Sequence, residues 1–371
     1  MTVDVAIIGG GLAGLSLSID LRKRGYQVVV VEKGDYPRHK VCGEYISMES
    51  QGYLHRVCPQ LQDMALPQIR RFQLTTGPYK TFTTPLAMGG FGISRYLLEE
   101  LLFTDAKHIG VSFLLNTKVL MIEGDAEAGE YTVKTDAQFL KASLVCNATG
   151  RKSNLETKDG PSLQGTNYVG VKYHLKTVRD PDLIEIHNFP GGYCGISNIE
   201  EGKSCLCYLV NSRYLKAAGN SIGELEKKVL FQNSRLETLF KNAEFLFNEP
   251  LTISGVNFRI KKPTNDHSLF LGDSAGSIAP ITGNGMSIGL RSASVLANTI
   301  DAYFSDKISR YQLMDTYTAF WNKEFSTRIK LSRHFQKLSE YSVLTQMTIG
   351  LFNFFPPLAK AVIRQTHGQP F

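Results

Sequence analysis

The sequence predicts an α/β chain: a Rossmann-like nucleotide-binding domain that is discontinuous in sequence, an inserted β-rich substrate domain, and a C-terminal helical segment. Three observations predict it. A strand, a glycine turn, a helix and a second strand follow one another within the first 32 residues. Two stretches of short, turn-punctuated β segments then interrupt the pattern. A buried strand with a second glycine-rich turn returns only near residue 270, so the first sheet is completed late.

The front unit is the clearest. Residues 3–8 are apolar and β-branched, residues 9–14 read GGGLAG, and Leu15, Leu17, Ile19 and Leu21 keep helical spacing until Gly25 stops them. Residues 27–31 form the next buried strand, ending at Glu32. Short β segments at 72–75 and 80–84 leave the first sheet, and Ser94 is placed to cap a helix over 95–108 with Glu99 and Glu100 in its early turns. Strands are expected at 111–115, 118–123, 131–135 and 142–146. A second β-rich stretch follows at 168–175, 184–188, 193–199 and 204–210, then a helix over 222–233. After residues 255–261 the chain returns to a strand at 269–271, and a helix opens near Gly285. The nucleotide-binding domain is thus assigned to 1–68, 94–163 and 257–300. The substrate domain takes 69–93 and 164–256, and the helical segment 301–371.

The 371 residues are 43% hydrophobic and 20% charged, enough for a sizeable core and too mixed for disorder. The formal charge of +7 is spread among acids rather than massed in blocks, so nucleic acid is not an expected partner. Much of the excess lies beyond Tyr303, where nine basic residues face four acids. That tail suggests an acidic carrier protein or a peripheral membrane contact. Six cysteines contain no C-x-x-C pair, and the chain opens directly on a strand, which suggests a reduced, cytoplasmic setting. Residues 342–355 are apolar but too short to span a bilayer.

Gly9, Gly11 and Gly14 fit G-x-G-x-x-G, with Leu12 and Ala13 inside the turn. The first glycine permits the turn, the second admits a pyrophosphate to the backbone amides, and the third lets helix and strand pack closely. Glu32 follows Gly14 at the distance where an acid takes ribose hydroxyls, with Lys33 beside it. Its carboxylate would repel a 2′-phosphate, so the adenosine of FAD or NAD fits and that of NADP does not.

The choice between FAD and NAD comes from residues 269–286, LFLGDSAGSIAPITGNGM. This resembles the second FAD signature of flavoprotein hydroxylases and geranylgeranyl reductases. The resemblance implies FAD, with Gly272 and Asp273 at the ribityl chain and the amides around Gly283, Gly285 and Met286 at the pyrimidine ring. Residues 36–44, YPRHKVCGE, resemble the P-R-x-K-x-C-G-E stretch of the geranylgeranyl reductase-like branch. By that resemblance Arg38 lies along the FAD phosphates or ribityl chain, Cys42 approaches the flavin ring, and Cys42 and Glu44 are the catalytic candidates that govern proton delivery. Arg95, after Ile93 and Ser94, matches the family arginine that reaches FAD, and Val119 the position whose backbone meets adenine. Residues 147–153 stand where relatives carry A-D-G. Gly150 remains for close approach, while Thr149 replaces the aspartate and speaks against direct use of NADPH.

The inserted domain departs from the family. Where geranylgeranyl reductases show Y-x-W-x-F-P, this chain has Tyr193 and Gly195 in the tyrosine and tryptophan positions, so the substrate cavity, bordered also by Pro280, is reshaped. The single Trp321 lies elsewhere, so the W-x-W-x-I-P motif of tryptophan halogenases is missing. His174, His187 and His334 read as structural, no cluster has metal-ligand spacing, and Phe352, Phe354 and Phe355 read as packing residues or as cover for a long apolar ligand.

Together these features identify a geranylgeranyl reductase-like FAD-dependent oxidoreductase of the para-hydroxybenzoate hydroxylase type. It is expected to reduce a C=C bond of an apolar, lipid-like or carrier-bound substrate, with NADH, NADPH or ferredoxin as external electron donor. The alternatives are hydroxylation of an aromatic or polyene substrate and a flavin-loaded binding protein without turnover.

Overall fold

The computed structural model describes residues 1–77, 80–125, 129–151, 155, 167–258 and 261–371. The end of the 147–153 motif, the assigned boundary at 163, and two residues of the 255–261 stretch lie outside the described residues. Two sheets organise the molecule. The first runs, edge to edge, Ser112–Leu114, Val28–Val31, Thr2–Ile8, Phe139–Asn147, Glu130–Thr135 and Val119–Asp125. The short strand Leu269–Phe270 pairs in parallel with the C-terminal end of Phe139–Asn147.

Val28–Val31 is four valines, all buried, because both faces of the parallel part are covered. Val5 and Ile7 join the core under the helices, whereas Ala6 and Ile8 pack with Val119, Tyr131 and Val133 on the other side. Helix Leu12–Lys23 lies on the first of these faces between Arg95–His108 and Gly285–Phe304. Ser94 caps the helix Arg95–His108, its hydroxyl accepting from Leu97 N at 3.1 Å.

The second sheet runs Glu244–Phe245, Tyr168–Lys176, Ser204–Asn211, Gly192–Asn198, Leu183–Phe189, Gln68–Thr76, Lys80–Gly92 and Tyr45–Ser47, with Leu251–Val256 also paired to Tyr168–Lys176. Tyr45–Ser47 is a difference from the assigned boundaries: it sits within 1–68 in sequence but forms the edge of the second sheet, antiparallel to Lys80–Gly92. The expected helix over 222–233 is also different. It breaks into Ile222–Lys228, a tight turn at Leu230–Gln232 and Ser234–Asn242, because Asn233 is a helix cap. Its side chain accepts from Arg235 N at 3.1 Å and donates to Thr75 Oγ1 and the Asn188 carbonyl. These helices cover one face of the sheet through Leu225 and Leu236, packed with Val171, Leu206 and Tyr208. The opposite face, with Tyr168, Ile186, Tyr193 and Leu209, looks toward the first domain.

The tail forms three helices, Arg310–Leu338, Ser342–Phe354 and Pro356–Thr366. The first buries Leu313, Tyr317, Trp321, Phe325 and Ile329 at steps of four residues, the spacing of a helix face, against the helix Gly285–Phe304. The second lies on the inserted sheet, where Ile349 and Phe352 pack with Phe82.

Candidate active site

The two glycine turns, more than 250 residues apart, meet in space. Gly9 has φ +102°, and a Cβ there would stand 2.5 Å from the Ala148 carbonyl oxygen; one on Gly14 would collide with the carbonyl of Gly9. The first turn therefore closes only with glycine at both positions. Strand Phe139–Asn147 separates the first strand from Leu269–Phe270, and Ser274 fixes the second turn by donating to the Asn147 carbonyl. Gly272 then lies beside Ala13 and Gly289: a Cβ on it would be 3.4 Å from Ala13 Cβ and 3.6 Å from Gly289 Cα.

One cavity of about 880 Å³ passes between the turns. Gly9, Gly11, Leu12, Ala13, Glu32, Lys33, Arg38, Cys42, Glu44, Arg95, Val119 and Gly150 line it from one side of the sequence. Gly272, Asp273, Gly283, Gly285, Met286, Tyr193, Gly195 and Pro280 line it from the other. Gly14 alone among the expected site residues is not in the wall, since its part is to close the turn.

The end near the first turn is charged. The Glu32 carboxylate accepts from Gly10 N at 2.7 Å and Gly34 N at 3.1 Å, and pairs with Arg38 at 2.9 Å. Burial works to raise its pKa, but Arg38 and the Gly10 amide overcome that and hold it below the usual carboxylate range. The structure thus places Arg38 at the Glu32 end, over the Tyr36 ring. Lys40 and Arg95 converge on the fully buried Glu99, Lys40 at 3.0 Å. Burial, with Arg95 and Arg38 nearby, pushes the Lys40 pKa well down. Gly11 faces this group: a Cβ on it would stand 3.2 Å from Lys40 Nζ and 3.8 Å from an Arg95 nitrogen. Sequence reasoning misses Lys40 and Glu99; their signal is the i, i+4 spacing of Arg95 and Glu99 and the lysine of the 36–44 motif.

These residues fit FAD. Arg95 Nε is buried without a hydrogen-bond partner, as are Asn284 Oδ1 and Ser287 Oγ at the start of the helix Gly285–Phe304. The unmatched Arg95 donor beside an open glycine turn suits a pyrophosphate, and a helix start suits the electron-rich pyrimidine edge of a flavin. Asp273, half-exposed, pairs with Arg151 at 3.0 Å, a partner that sequence reasoning missed because 122 residues separate them. Thr149 turns back on its own strand, its hydroxyl donating to Asn147 Oδ1 at 2.6 Å.

Between the charged and apolar ends stands a buried ion cluster. Glu44, with φ 55° and no exposure, accepts from Arg95 N at 2.7 Å, from Lys172 Nζ, and meets His174 Nε2 at 2.6 Å. Burial acts to raise its pKa, but His174 and Lys172 hold it below the ordinary value. Burial acts to lower that of Lys172, but Cys205 and Glu44 hold it above. Both Glu44 oxygens are engaged, so the structure gives this carboxylate a positioning part: it ties the segment bearing Cys42 to the helix bearing Arg95. Among the described residues Glu44, His174 and Cys205 are the one trio with metal-ligand spacing, and the Lys172 ammonium already supplies the positive charge there. Cys42 is half-buried in the cavity wall, its sulfur accepting weakly from Glu44 N at 3.5 Å.

The far half is apolar, lined by Phe72, Leu74, Ile186, Leu209, Ile253 and Ile281. Gly195 leaves room beside Ile186, since a Cβ on it would sit 3.4 Å from Ile186 Cδ1. Pro280 opens the turn that ends at Gly283, φ +70°. Tyr193 and Cys207 also face this space; burial pushes the Tyr193 phenol well up and the Cys207 thiol up to about 12. The inner end reaches Phe335, Phe352 and Ile363 of the tail helices.

A sequence-family model for the FAD binding domain matches residues 2–322. The chain is 25% identical over 366 residues to conditioned medium factor receptor 1 of Dictyostelium discoideum, covering 89% of this chain and 69% of that protein. It is 25% identical to ubiquinone hydroxylase UbiL of Rhodospirillum rubrum, covering 81% and 72% of the two chains. It is 26% identical to digeranylgeranylglycerophospholipid reductase of Methanococcus vannielii, covering 83% and 81%. Its fold is that of the flavin-dependent brominase Bmp2, with a TM-score of 0.80 over 98% of this chain and 93% of that one, at 18% identity.

Proposed function

The chain belongs to the FAD binding domain family and is an FAD-dependent oxidoreductase, and from that premise we propose that it reduces a C=C bond in an elongated apolar substrate. Bound FAD supplies hydride chemistry, accepting two electrons from a donor and passing them on. Glu32, itself held by the Gly10 amide, would hold its adenosine ribose, Lys40 and Arg95 its pyrophosphate, Asp273 its ribityl chain, and the amides of Gly285 and Met286 its pyrimidine edge.

One observation carries the reading. The ionisable groups on the apolar half with a resolved shift, Tyr193 and Cys207, are kept protonated by burial, and among the described residues no carboxylate stands with the apolar ones there. Such a wall does not remove protons, and its O–H and S–H groups can protonate only a strongly basic carbon centre. Reduction of a C=C bond needs that: a hydride adds to one carbon and a proton to the other, the proton coming from the Tyr193 phenol or the Cys42 thiol and being restored from water. The 26% identity to a digeranylgeranylglycerophospholipid reductase supports the same reading.

Hydroxylation is the second reading, favoured by the likeness to a ubiquinone hydroxylase. The two separate in one experiment. Dithionite-reduced protein, mixed without oxygen with a panel of prenyl alcohols and polyenoyl thioesters, reoxidises its flavin and yields a product richer by two hydrogens if it is a reductase. Reoxidation only on admitting oxygen, with one oxygen atom gained by the substrate, contradicts reduction. Bleaching of the flavin by NADH, NADPH or reduced ferredoxin in parallel cuvettes identifies the donor.

A further inference from the structure

We propose that the helix pair Ser342–Phe354 and Pro356–Thr366 is a docking surface for an anionic lipid bilayer, with its apolar tip lying in the interface plane. Exposed large apolar residues are concentrated there: Val343, Met347, Leu351, Phe354 and Phe355 are open to solvent, Phe354 at 88%. Residues 341–355 carry no charge at all, which an ordinary solvated helix face does not do.

The surrounding charge is of one sign. From residue 325 to 371 the sole acid is Glu340, and it is buried, bonded to Tyr168 and Asn211. Arg328 is buried on Glu49. What remains toward solvent is basic: Lys330, Arg333, Lys337, Lys360 and Arg364. An uncharged apolar tip whose own flanking segments turn only cations toward solvent matches acyl chains under anionic headgroups. A second copy of the chain fits poorly, since it would bring the same cations together. The 13-residue helix is about 20 Å long, too short to cross, and no described helix is long and apolar enough to do so. The same helices face inward as well: Thr345, Thr348 and Phe352 line the inner end of the cavity, which places that end against the bilayer.

The test is co-sedimentation of the FAD-loaded protein with phosphatidylcholine vesicles, with and without phosphatidylglycerol. The protein is expected to pellet with the anionic vesicles and to be released by salt. Met347→Glu with Phe354→Glu should lower partitioning by about tenfold or more at unchanged flavin content. Lys360→Ala with Arg364→Ala should lower it roughly thirtyfold on anionic vesicles and leave the little binding to neutral ones unchanged. This second pair decides the matter should the first fail to fold. No partitioning of the wild type, equal partitioning of all variants, a dimer that the glutamates dissociate without vesicle binding, or retention only on an acidic acyl carrier protein each overturns the proposal. None of these readouts depends on which reaction the flavin performs.

Discussion

Replacing Lys172 with Met removes one member of a charge pair whose two side chains are wholly buried. The methionine fills similar space, so the loss is electrostatic. Glu44 keeps the Arg95 amide and His174 but loses its strongest counter-charge, and a buried charge stripped of its partner costs roughly 3–5 kcal/mol. Urea unfolding followed by the fluorescence of Trp321, the single tryptophan and itself in the core, measures this directly. The pH dependence has a definite sign. In the native pair, the depressed Glu44 pKa contributes stability that is present above the unfolded carboxylate value and lost as pH falls through the folded one. The raised Lys172 pKa contributes stability present below the unfolded lysine value and lost as pH rises through the folded one. In the variant, protonating the stranded carboxylate relieves it, so the deficit shrinks as pH is lowered from 7 toward 5. Glu44→Gln combined with Lys172→Met should recover at least half of the loss. A deficit under about 1 kcal/mol, or a double variant no better than the single one, would refute the description of this cluster as a buried ion pair.

Gly11→Val should give folded but colourless protein, because the added carbons fill the space facing Lys40 and Arg95; a normal yellow preparation speaks against the pyrophosphate assignment. Asp273→Ala should weaken FAD retention by about tenfold in a fluorescence titration, in keeping with one lost hydrogen bond to a charged group, and unchanged retention contradicts the ribityl contact. Cys42→Ser and Tyr193→Phe should keep FAD, while at least one of them lowers anaerobic turnover about a hundredfold; two fully active variants remove both groups as proton sources. His187, fully buried on Thr75 Oγ1, has its pKa pushed by burial down to about 4. The unfolded chain therefore takes up a proton between pH 6.5 and 4 that the native chain refuses, and stability falls by about 2 kcal/mol from pH 7 to 5, a slope that His187→Gln should flatten.

The first sheet and both glycine turns were legible because their signals are local. Gly9 and Gly14 are fixed by sterics within their own turn and against its neighbouring strand, the four valines from Val28 announce a doubly covered strand, and Ser94 announces its helix. What was not legible depends on pairings across long sequence distances. Glu44 and Lys172 are 128 residues apart, and nothing in the alternation of 168–176 says that a lysine points inward. Glu99 reads as an acid favouring a helix start, yet the fold buries it under Lys40 and Arg95. Tyr45–Ser47 is too short to read as a strand and gains its identity only from Lys80–Gly92. The aromatic cluster before the double proline divides: Phe352 packs on Phe82, while Phe354 is bare.

The central claim is that the turns at Gly9–Gly14 and Gly283–Met286 grip one FAD from opposite ends. A crystal structure of the flavin-loaded protein tests it most directly. The pyrophosphate should lie against the amides of Gly11 and Leu12, within reach of Arg95, and the pyrimidine edge of the same molecule should meet the amides of Gly285 and Met286. A flavin that touches only one of these turns, or sits outside the cavity between them, contradicts the account.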